Sequence, residues 1–122
     1  MESLESSLSQ FTGTEAYHRW SVLFRNCVLT DGAKFLCEKA GAFWFADIIA
    51  SILPKIRKAG DFATCQITKY GKHGQSAMFT ADDGNGNIFY RQRIQYTDAQ
   101  FNYKVFAQWD GSMLVIMLTS EY

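Results

Sequence analysis

The sequence predicts an α+β domain with two to three N-terminal helices packed on one face of a four- to five-stranded, mainly antiparallel sheet. Three observations lead there. Helical spacing and helix stop signals are confined to the first half of the chain. From about residue 60 the pattern turns to alternation. Two turn sequences, "DDGNGN" and "DGS", each sit between alternating apolar runs. At 122 residues the chain fits one domain, 1–122. A chain of that size buries enough surface to hold a core without staples.

The elements follow in order. Leu4 and Leu8 are four apart, so residues 2–9 read as a short amphipathic helix. "FTGT" breaks it at Gly13. Residues 17–29, "YHRWSVLFRNCVL", read as one or two short strands. Thr30 and Asp31 can each cap a helix over about Gly32 to Lys39, and Gly41 suits the left-handed position past its end. A second helix covers 42–53 and should end or kink at Pro54, leaving "KIRKAGD" as a basic, exposed exit. "DFATCQITKY" is a strand. "SAMFTA" and "NIFYRQRIQY" form a hairpin around "DDGNGN", with Ile88, Tyr90, Ile94 and Tyr96 on one face and Phe89, Arg91, Arg93 and Gln95 on the other. "FNYKVFAQW" and "MLVIML" form a second hairpin, and the continuous apolar run 112–118 belongs inside the sheet.

Composition narrows the function classes. Twelve basic residues balance twelve acidic ones, so no global field draws the chain to nucleic acid or an acidic membrane. Low net charge also permits self-association, and a homo-oligomer through a sheet edge or an apolar helix face is an expectation. Cys27, Cys37 and Cys65 are odd in number and widely spaced, which suits free thiols in a reducing cytoplasm and neither a zinc site nor a disulfide framework. "MESLESSLSQ" lacks the features of a secretion signal, and the run 40–53 is too short to span a bilayer. Aromatic residues are 16% of the chain, enough that some should reach the surface, where they mark contact sites.

The candidate residues centre on Asp47, the single acid in "AGAFWFADIIASIL". On a helix it shares a narrow polar stripe with Ser51, with Trp44 one turn before. The rest of that helix is apolar, which predicts burial on nearly every side. A carboxylate there needs donors, such as a loop N–H, an indole N–H or a lysine. The sharper alternative puts Asp47 in a pocket with Asp31 and His18, as the carboxylates and base of a small hydrolase or nucleotide-processing enzyme. Asp98, in "YTDAQ", could join the two aspartates on a divalent metal, but a helix cap and a turn account for Asp31 and Asp98. No metal and no cofactor is expected. Lys55, Arg57, Lys58, Lys69 and Lys72, with Arg91 and Arg93 on one strand face, could contact nucleic acid beside Tyr70 and Phe89. A solvated basic edge that discourages strand aggregation explains them as well, and the neutral chain favours it.

"FTGT" (11–14), "TDG" (30–32), "AGAFWFADIIAS" (40–51), "YTD" (96–98) and "SEY" (120–122) resemble a family of small uncharacterised bacterial proteins carried by phages, plasmids and other mobile elements. The resemblance implies no catalytic residue. It implies a setting in which proteins of this size bind and block a host or defence protein. The expected function is thus contact with an unknown protein partner, through a surface including Trp44, Asp47, Ser51, Tyr96 and Asp98.

Overall fold

The computed structural model describes residues 7, 8, 10–71, 76–95 and 102–122. The helix expected over 2–9 falls largely outside them, as do Lys72, His73, Tyr96 and Asp98. The described residues form three helices, α1 (Asp31–Ala40), α2 (Phe43–Ser51) and α3 (Leu53–Lys58). Six strands accompany them: β1 (Cys27–Leu29), β2 (Phe62–Tyr70), β3 (Ser76–Asp82), β4 (Ile88–Ile94), β5 (Tyr103–Trp109) and β6 (Leu114–Leu118). The sheet order is β1-β6-β5-β2-β3-β4. All neighbours are antiparallel except β1 and β6, which pair in parallel. The α+β class is therefore right. The expected four to five strands are corrected to six: β1 falls within 17–29, where short strands were expected, but its parallel mate is almost ninety positions away, and local periodicity does not show that it joins the sheet.

Local chemistry sets the helix ends. The Thr30 hydroxyl accepts from the Ala33 N–H at the start of α1, and Gly41 turns left-handed (φ 62°) at its end. Pro54 does not terminate the helical region. The chain breaks two residues earlier, at Ile52, and Pro54 sits in the first turn of α3, where its missing N–H costs nothing. The expected exposed exit is therefore mostly helix.

Register decides which side chains form the core. Ala63, Cys65 and Ile67 of β2, Ala77, Phe79 and Ala81 of β3, and Tyr103, Val105 and Ala107 of β5 point to the helices and are buried. Small residues on the sheet let α2 approach, and Phe45 fills the space between Phe79 and Tyr103, with ring centroids 5.9 and 5.8 Å away. In β4 the expected faces are corrected. Ala81 pairs with Tyr90 but Asp82 with Ile88, so Phe89 is an extra residue in the strand. This bulge lets Phe89 and Tyr90 both pack on the core, while Ile88 is exposed. The opposite sheet face has a smaller apolar cluster of Val28, Val115 and Met117 with Phe106 and Met113.

Burial pushes the Cys27 thiol up to about 11 and the Cys37 thiol, beside Asp47 and Glu38, to about 12; the fully buried Cys65 moves the same way. All three are buried free thiols and stay protonated at neutral pH. No helix among the described residues is long and apolar enough to cross a membrane.

Candidate functional site

The segment 14–20 has little regular structure, so its placement depends on tethers. Its backbone meets β1 once, where His18 and Leu29 exchange N–H···O bonds of 2.8 Å. Asp31, the first residue of α1, then gathers three contacts. Its N–H donates to the Thr14 hydroxyl at 2.9 Å. Its carboxylate accepts from the Glu15 N–H at 2.8 Å and from His18 Nε2 at 2.8 Å. The His18 ring and the Glu15 N–H hold the Asp31 carboxyl below its usual range. Further on, the Trp20 indole N–H donates to Asp47 Oδ1 at 2.8 Å. Two aspartates, on α1 and α2, thus pin the same segment across the helices.

Between segment and helices lies an open cleft of about 370 Å³. His18, Arg19, Trp20 and Ser21 form one wall; Leu29 of β1, Lys34 of α1, and Phe43 and Asp47 of α2 form the rest. An ionised carboxylate can only accept, so Nε2 is the His18 donor. In the neutral ring Nδ1 is then left as an acceptor, with no partner among the described residues.

This geometry corrects the expectation for Asp47. It is exposed rather than buried. Helix α2 buries Phe45, Ala46, Ile49 and Ala50 and leaves Asp47 and Ser51 exposed, with the Trp20 indole bonded to Asp47. The indole donor is one of those foreseen. Ser51 bonds its own helix, donating to the Ile48 carbonyl at 2.6 Å. Trp44 lies against Phe45 and Tyr103, with centroids 6.1 and 6.4 Å away, and does not line the cleft. His18 and Asp47 do line it, and Asp31 is bonded to His18, so all three residues of the catalytic alternative meet in one neighbourhood. Asp98, the third carboxylate imagined on a metal, lies outside the described residues. Among the described residues no three His, Cys, Asp or Glu side chains are gathered as a metal would need.

The basic residues divide. Lys55 and Lys58 line a shallow groove of about 280 Å³ with Ala59 and Phe89. Arg57 stacks over Trp109, 4.8 Å from its ring. Arg91 and Arg93 are exposed on the edge strand β4, and Lys69 is near the far end of β2.

Several residues that matter went unforeseen. Val22 and Leu23, each 82% exposed, project from the loop after the pinned segment, and Tyr17 is 60% exposed before it. An apolar pair in "SVLF", outside any clear strand, was the available signal. Glu121 was quoted only within "SEY". Its carboxylate accepts from the Thr30 hydroxyl at 2.5 Å, the Leu118 N–H at 2.9 Å and the Gly32 N–H at 3.0 Å. It therefore caps α1 from the far end of the chain. "FTGT", "TDG" and "SEY" thereby meet at one helix N-terminus.

Comparison with curated proteins and with solved structures returned no match. A family model does match, described as a family of unknown function (DUF6876), over residues 2–122. The convergence of its distant segments on one helix start and one cleft is thus the structure of a member: the chain belongs to the family of unknown function DUF6876.

Proposed function

We propose that the chain works by contact with another protein, as an inhibitor or accessory factor of a mobile element, including against host defence. The contact surface is the pinned loop that carries Tyr17, Val22 and Leu23. The exposure of Val22 and Leu23 carries this reading: two adjacent branched apolar side chains at 82% exposure sit on a segment tethered to two helices. Apolar side chains projecting from a preorganised loop are inexpensive to desolvate and lose little entropy on binding. A second copy of the chain is one such partner. Val22→Asp with Leu23→Asp should keep the fold and lose the partner that wild type recovers from its host, and light scattering at several concentrations identifies self-association. Equal recovery by both proteins, or no protein above background with wild type, would sink the proposal.

One observation favours a second reading, a small acid–base enzyme acting on a hydrolysable or nucleotide substrate. His18, held by Asp31 through Nε2, keeps an Nδ1 with no partner among the described residues and lines one cleft with Asp47. Ser21 lines the same cleft, but no hydrogen bond joins it to His18. A panel of ester and phosphodiester probes should then show turnover that His18→Asn abolishes; no turnover by wild type removes this reading.

A further inference from the structure

The carboxylates around the cleft are engaged by hydrogen bonds, whereas its cations are held weakly or, among the described residues, have no ion pair. Asp31 accepts from His18 and Glu15, and Asp47 accepts from Trp20. Arg19 has no ion pair among the described residues, and the Lys34 pair with Glu38 is a 3.4 Å surface contact of the weak i,i+4 kind. The Ser21 oxygen accepts from the Leu23 N–H, which leaves its own proton to donate. Trp20, Phe43 and Leu29 give the same cleft an apolar lining.

We infer that the cleft receives a chain-terminal carboxylate whose last residue has a large apolar side chain, the anion held by Arg19 and Lys34 and the side chain laid on Trp20 and Phe43. The inference rests on the contact reading and names what the partner inserts. Size agrees, since about 370 Å³ holds one bulky residue with its carboxylate. Charge agrees as well. Asp47 in the wall would repel a dianionic phosphate more than a monoanion. A C-terminal residue joins anion and apolar body within that length, whereas an internal Asp or Glu offers little apolar surface beside its charge.

The test uses the full chain, labelled with ¹⁵N, titrated with N-acetylphenylalanine and separately with N-acetylphenylalanine amide. The readout is the Trp20 indole N–H resonance, assigned with Trp20→Phe. The acid should give a saturable shift, and the amide should bind at least about tenfold more weakly, the size of one charge-assisted hydrogen bond. Arg19→Gln, at an exposed position, should weaken the acid by a similar factor. No saturable shift, equal binding of acid and amide, or unaltered binding by Arg19→Gln would overturn the inference. Partner recovery that still depends on Val22 and Leu23 would then leave the contact reading standing.

Discussion

Gly32→Ala should lower stability by about 3 kcal/mol, combining an overpacking cost with the loss of a buried-side cap. A Cβ at position 32 would lie 2.5 Å from Glu121 Oε1 and 2.6 Å from Leu118 Cδ1. The helix backbone cannot yield there, because Thr30 and Asp31 are fixed by Glu121 and Thr14. The Glu121 carboxylate and the Leu118 side chain must therefore shift, which takes the carboxylate away from the Gly32 and Leu118 N–H groups. Glu121→Ala reaches the same end by the other route and should cost about 2 kcal/mol, since the N-terminal donors of α1 lose an anion. The two changes remove one latch, so the double variant should be clearly less destabilised than the sum. Thermal and urea unfolding of the four proteins decides it. A stable Gly32→Ala would show that the latch contributes nothing, and strict additivity would show that the two changes do not act on one latch. Since Asp31 follows directly on the latch and holds His18, loosening it should also broaden the His18 and Trp20 signals.

Acid should lower the stability of the protein once the pH passes below the ordinary aspartate value of 3.8. Among the described residues, three aspartates have lowered pKa values. For Asp31 the main cause is the His18 bond, for Asp83 the Asn87 side chain in the β3–β4 turn, and for Asp110 the Ser112 and Met113 N–H groups in the β5–β6 turn. A group with a lowered folded-state pKa adds stability that is complete above its unfolded value and drains away as the pH falls through the folded value. The melting temperature should therefore change little from neutrality to about pH 5 and then drop. Asp31→Asn should be less stable at pH 7 and show a shallower acid limb. An acid limb of the same steepness in that variant would mean that the Asp31 tethers do not contribute to folding.

How much was legible in the sequence follows the range of the interactions. Both hairpins were read correctly because their turns are closed by aspartates bonding N–H groups two to four residues on, as Asp83 and Asp110 do. The cap at Thr30 and the left-handed Gly41 are equally local. The bulge at Phe89 was missed since a single extra residue leaves the alternation intact in the sequence and flips it only against β3. Asp47 was misplaced for a related reason. Helix α2 is apolar enough to imply burial all round, but whether anything covers its polar stripe depends on where residues 14–20 run.

The sequence by itself determined the class, the ends of α1 and the two hairpins to within a few residues, and the short list of titratable residues worth watching. These depend on backbone preferences and on hydrogen bonds spanning a few positions. Tertiary structure alone decided that His18 meets Asp31, that Trp20 meets Asp47, and that Glu121 reaches α1 across 89 positions. Such contacts are set by how the sheet and helices pack, and packing is a property of the whole chain that no window of neighbouring residues contains.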